Sequence, residues 1–149
     1  MKAPFKVLSI AAFTFGTAAT TPAFARSIPA SYALPYADPC FSNGGGPITN
    51  NCPDYANLEF PLSMDASGWV SATVHAWAPD AAHNVCCIAE SMVEEGGGAW
   101  IGWRRSSEIC LSMPRLNTTL TVTWYAPSNS ASHVYCSVGQ EARVNFIEW

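Results

Sequence analysis

Lysine occurs only at positions 2 and 6 of this 149-residue chain, so past the first few residues every permanent cation is an arginine. The arginines are scattered apart from the Arg104-Arg105 pair. A chain with so little clustered positive charge lacks the electrostatic footprint that engages phosphate backbones, which argues against nucleic acid as a partner. No apolar run reaches the ~20 residues of a membrane-spanning helix. No window of about ten residues keeps a helical period with a cap. A Gly-x-Ser-x-Gly turn, which would hold a nucleophilic serine, is also missing. The three histidines, His75, His83 and His133, share no metal or triad spacing. Among the carboxylates, Glu90, Glu94 and Glu95 are close enough in sequence to be considered as an acid/base pair. Glu94-Glu95, however, runs into Gly96-Gly97-Gly98 and reads as a solvated hairpin turn. We therefore expect no catalytic residues, no metal and no cofactor.

The N-terminus, in contrast, carries a clear address. Lys2 and Lys6 precede an apolar, charge-free run from Val7 to Ala19, followed by Pro22 and then Ala23-Phe24-Ala25. Charged, apolar and small-x-small segments in that order form a secretory signal, with cleavage expected after Ala25. Residues 1–25 are thus read as a signal peptide, leaving no transmembrane segment and a secreted or periplasmic domain. Both lysines leave with the signal, so five arginines face eleven carboxylates, a net charge of −6.

From Arg26 to Asn51 the chain is rich in Pro, Gly, Ser and Asn, and reads as an N-terminal arm or long loop. Past Cys52 the pattern becomes period two. Val70, Ala72, Val74 and Ala76 alternate with Ser71, Thr73 and His75; Leu120, Val122 and Trp124 alternate with Thr119, Thr121 and Thr123. Alternation of this kind marks half-buried strands. Shorter candidates are residues 57–62, 85–92, 99–104, 109–112, 133–138 and 143–149, where Trp149, Ile147, Asn145 and Arg143 fall on one nominal face. About eight short strands separated by Gly, Pro and Asp turns predict an all-β, small antiparallel β-sandwich over 52–149. One domain is all that such a length supports.

All six cysteines, Cys40, Cys52, Cys86, Cys87, Cys110 and Cys136, follow the signal. In an exported chain an even count is a disulfide framework, and six cysteines allow 15 pairings. Cys40 and Cys52 bracket Gly44-Gly45-Gly46 and are expected to clasp that loop. Neighbours on a strand leave on opposite faces, so Cys86 and Cys87 serve different bridges. Cys136 is in phase with Val134 and Val138 and should point inward. Either Cys86 or Cys87 could meet it there, the other then taking Cys110.

The segments Asn50-Asn51-Cys52-Pro53, Asn84-Val85-Cys86-Cys87 and Val134-Tyr135-Cys136-Ser137-Val138 resemble a pattern of small secreted β-sandwich proteins of proteobacteria and their relatives. The resemblance covers roughly Cys40 to Trp149 and implies fold and exported location. It supplies no catalytic or binding residues. This chain departs from the pattern at Ser137-Val138-Gly139, where an apolar residue and a proline are usual.

Aromatic residues carry the candidate binding sites. Trp69 and Trp77 share the polar face of their strand with Ser71, Thr73 and His75, about 26 Å apart along it. Such a face could stack on a flat ligand. Trp100 and Trp103 lie beside Arg104, a second combination of ring and cation. The reading that follows is a non-enzymatic structural, adhesive or binding module of the cell envelope or exterior. The alternative is a carbohydrate-binding module that uses exposed tryptophans, the partner being a surface glycan or another envelope protein.

Overall fold

The computed structural model describes residues 26–35, 40–43, 45–64, 67–94, 101–127 and 130–149, so the signal read at residues 1–25 lies outside the described residues. The strands are β1 (Ser27–Pro29), β2 (Leu34–Pro35), β3 (Phe41–Asn43), β4 (Ile48–Asn50), β5 (Ala56–Leu62), β6 (Gly68–Trp77), β7 (Val85–Glu94), β8 (Ile101–Arg105), β9 (Ile109–Cys110), β10 (Thr118–Ala126), β11 (Ala131–Val138) and β12 (Arg143–Glu148). A single 3-10 turn spans Ala30–Tyr32. The first sheet runs β10-β6-β12-β4-β3, with β1 also on β12. The second runs β2-β5-β11-β7-β8, with β9 also on β7. Each sheet has six strands, and every pairing is antiparallel. The all-β sandwich expected from the alternation is therefore present. Its central strands are longer than expected, ten residues in β6 and β7 and nine in β10.

Period-two alternation accounts for the core. Ala72, Val74 and Ala76 of β6 and Leu120, Val122 and Trp124 of β10 face Phe60, Leu58, Val134, Val138 and Ala89 of the second sheet, all of them buried. Withdrawing a valine, leucine or phenylalanine from water contributes roughly 1.5 to 3 kcal/mol, an alanine methyl about 0.8 kcal/mol. Two polar connections cross between the sheets. The Trp124 indole N–H donates to Ser91 Oγ at 2.8 Å, and Ser91 Oγ pairs with Ser132 Oγ at 2.5 Å. Asn50, fully buried on β4, donates from Nδ2 to the carbonyls of Val138 and Asp54, each at 2.8 Å, and accepts from the Cys52 N–H.

The three bridges are Cys40–Cys52, Cys86–Cys110 and Cys87–Cys136. Register decides what alternation alone left open. Val85, Cys87 and Ala89 point inward, and Cys87 stands directly opposite Cys136; Cys86 points outward, opposite Cys110. Both of the latter bridges therefore staple neighbouring strands of the second sheet.

Three features differ from the sequence reading. Residues 26–51, expected as an arm or loop, contribute β1 to β4, and β1 pairs with β12 of the same chain. Strands of two or three residues are too short to show a period; β1 and β4 pair with β12, β2 with β5, and β3 with β4. The alternation expected along the last strand is broken between Val144 and Phe146, where the register on β6 shifts. This bulge turns both Val144 and Ile147 into the core while Arg143 stays on the outer side, so Ile147 and Arg143 do not share a face. Finally, the turn after β11 depends on Gly139. Its N–H donates to the Asn84 carbonyl, and any Cβ there would land on the backbone of His83. Glycine and its N–H are both in use where the related pattern has proline.

Candidate functional site

The outer face of the first sheet holds most of what the alternation placed there. Trp69 and Tyr125 are cross-strand neighbours whose rings meet edge to face, centroids 5.9 Å apart. They remain open to solvent, Trp69 at 77 % of its full exposure and Tyr125 at 43 %. The next pair inward is Ser71 and Thr123, whose hydroxyls are 2.8 Å apart, then Thr73 and Thr121 at 3.3 Å. Ring and hydroxyls thus form a continuous, uncharged row over about four strand steps, roughly 13 Å.

Beyond Thr73 the face closes. His75 stacks on Phe146 with centroids 3.9 Å apart, and its Nε2 lies 3.5 Å from Glu148. That is an ion-pair distance without hydrogen-bond geometry, since the same nitrogen is buried with no hydrogen-bond partner. Arg143 lies over the Trp77 ring, 5.2 Å from its centroid, and reaches Asn117 Oδ1 at 3.3 Å. Trp69 and Trp77 are therefore on one face, as read, but they are not equivalent. One is an open platform, and the other already has a cation on it.

The second combination is only partly described. Trp100 lies outside the described residues. Trp103 sits on β8 opposite Met92 and Arg104 opposite Ser91. Arg104 is exposed. Of the remaining tryptophans, Trp124 is in the core, and Trp149 packs against the core with its indole N–H donated to the Ser63 carbonyl.

The sequence reading missed a groove on the outer face of the second sheet. It has a volume of about 430 Å³ and is lined by Glu59, Ile88, Glu90, Met92, Arg105, His133 and Tyr135. His133 is nearly buried between two carboxylates, its Nε2 3.4 Å from Glu90 and its Nδ1 3.8 Å from Glu59. Arg105 Nε forms an ion pair with the other oxygen of Glu90 at 2.7 Å. The outward parity of Glu59, Glu90 and His133 was readable in their strands. The juxtaposition was not, because it depends on the order β5-β11-β7-β8.

The third histidine belongs to a turn. Asp80 accepts hydrogen bonds from the backbone N–H groups of His83 and Ala82, each at 2.9 Å, and from the His83 ring. The His83 N–H is the largest influence holding the Asp80 carboxyl below the ordinary carboxylate range, aided by the His83 ring and the Ala82 N–H. Among the described residues no group of three His, Cys, Asp or Glu side chains is placed to hold a metal ion.

With both faces in view, known proteins bear on the fold. No family model matches the chain, and no curated protein matches it in sequence. Solved structures do match. The carbohydrate-binding module CBM6cm-2 of Cellvibrio mixtus lichenase 5A, in complex with cellotriose, superposes with a TM-score of 0.52 at 15 % identity, over 83 % of this chain and 94 % of that one. The C-terminal CBM6 of LamC, a marine laminarinase from Zobellia galactanivorans, gives 0.52 at 15 % identity, covering 83 % and 97 %. The fold matches that of carbohydrate-binding modules. A Podospora anserina GH26-CBM35 β-(1,4)-mannanase gives 0.51 at 10 % identity, covering 83 % of this chain and 27 % of that one. At such identities the likeness is one of architecture, and function has to be argued from this chain's own residues.

Proposed function

We propose that this protein is an exported, non-catalytic carbohydrate-binding module that receives a neutral oligosaccharide on the outer face of its first sheet. The observation that carries this reading is the open Trp69 ring at the head of an uncharged row of hydroxyls. An exposed indole offers a pyranose an apolar platform, and Ser71, Thr123, Thr73 and Thr121 add a row of hydroxyls beside it. The fold shared with CBM6cm-2, which is in complex with cellotriose, is consistent with this ligand class. Three disulfides suit a protein working in an oxidising exterior compartment. A structural or adhesive role at the envelope is compatible with this reading, with glycan attachment as its physical basis.

Titration calorimetry with cello-, laminari- and manno-oligosaccharides tests it. At least one series is expected to bind, and Trp69→Ala to weaken that binding by about tenfold or more, the usual scale for losing an aromatic anchor. Absence of binding by all three, or undiminished binding in Trp69→Ala, overturns the assignment.

A further inference from the structure

We propose that the groove on the second sheet is a separate binding site for a ligand bearing a primary ammonium group. It lies on the opposite face of the sandwich from Trp69, so it stands whether or not the first sheet binds glycan. The charges in the groove do not cancel. Arg105 is committed to Glu90 at 2.7 Å, whereas among the described residues Glu59 has only the His133 ring, at 3.8 Å. The lining thus sets two carboxylates, Glu59 and Glu90, against one guanidinium, Arg105. The Glu59 side chain is 29 % exposed, too withdrawn for full hydration and open enough to be reached.

The rest of the lining defines the ligand. Ile88 and Met92 give the groove an apolar floor, and Tyr135 stands opposite Glu59 in register, next to the uncompensated charge. An ammonium group on a short apolar or pyranose body satisfies all three elements: a charge-assisted hydrogen bond to Glu59, ring contact with Tyr135 and apolar cover from Ile88 and Met92. The volume of about 430 Å³ suits a small molecule or a short oligomer. Net negative charge beyond the signal favours the approach of a cation over that of an anion.

His133 closes the groove between the two carboxylates. Glu59 on β5, Glu90 on β7 and Arg105 on β8 face it from the neighbouring strands, and Tyr135 flanks it on its own strand.

The test uses the full mature protein and three probes: a glucosamine tetramer, its N-acetylated counterpart, and 1,5-diaminopentane. At least one of the two amines is expected to bind, and the uncharged N-acetylated tetramer to bind roughly tenfold more weakly or not at all. Binding by the sugar amine alone assigns the ligand to amino sugars. Binding by both amines assigns it to small alkyl amines generally. Glu59→Gln, which keeps volume and removes charge, is expected to cut amine affinity by roughly tenfold. Trp69→Ala leaves amine binding unchanged. Failure of both amines to bind, equal affinity for the acetylated tetramer, indifference to Glu59→Gln, or loss in Trp69→Ala each overturns the proposal.

Discussion

The two outer faces of the sandwich are built from the same β geometry and opposite chemistry. On the first sheet, cross-strand neighbours are alike and uncharged: Ser71 with Thr123, Thr73 with Thr121, Trp69 with Tyr125. On the second, they carry charge, His133 opposite Glu90 and Glu90 opposite Arg105. Paired hydroxyls leave lone pairs and donors free for a polyhydroxylated ligand, because each still has hydrogen-bonding capacity. Paired charges neutralise each other, and among the described residues Glu59 is left beside the His133 ring alone. The sheets also differ in how they are held. Two bridges staple the second sheet strand to strand, while the first depends on packing, on Asn50 and on the clasp beside β3 and β4.

Removing staples is the strongest way to break this contrast. Cys87→Ala with Cys136→Ala opens a link spanning 49 positions and is expected to cost about 4 kcal/mol in a chain-entropy estimate, against about 3 kcal/mol for the 12-position Cys40–Cys52 clasp. Urea denaturation of the two double variants checks the order, and equal losses would remove the claimed difference between the sheets. Next in size is Asn50→Ala. It leaves the Val138 and Asp54 carbonyls and the Cys52 N–H without their partner, a loss of about 3 kcal/mol. Thermal melting reads it, and a loss below about 1 kcal/mol would mean that water replaces the amide.

A smaller and opposite effect sharpens the contrast between core and face. Trp69→Ala should leave stability within about 0.5 kcal/mol while reducing glycan affinity, since its ring is mostly in water already. Smallest is the turn that carries the chain from β6 in one sheet to β7 in the other. The Asp80 carboxyl is held below its unfolded value, so its contribution is complete above about pH 4 to 5 and disappears as pH falls through the lower native value. Asp80→Asn should flatten only that acid limb of a stability–pH curve. An unchanged curve would show that the turn does not sense the charge.

The legible part of the molecule was what a single strand encodes. Alternation along β6 put Trp69, Ser71 and Thr73 on one face, and alternation along β10 put Thr121 with Thr119 and Thr123, because period two is a local property of each strand. Pairing is not local. The choice between Cys86 and Cys87 waited on the register that sets Cys87 against Cys136, and the groove waited on four strands whose order the chain does not spell out. Trp77 looked equivalent to Trp69 until Arg143, 66 positions downstream by its number, lay across it. The bulge at Val144 to Phe146 defeated the parity reading of β12, since one extra residue reverses every face beyond it.

Trp124 lies between Thr123 and Tyr125, which point to the outer face of the first sheet, while its own ring crosses the core to Ser91. The backbone that presents the ligand row therefore also aims a rigid, hydrogen-bonded chromophore. A ligand that moves β10 must tilt or lengthen that 2.8 Å bond one residue away, and the near-ultraviolet circular dichroism of the buried indole should change with occupancy. A ligand in the groove of the second sheet would instead act on the same indole from the far end, through β7 and Ser91. The two sites share one optical reporter, whose response to the two ligands together measures how much each sheet feels of the other.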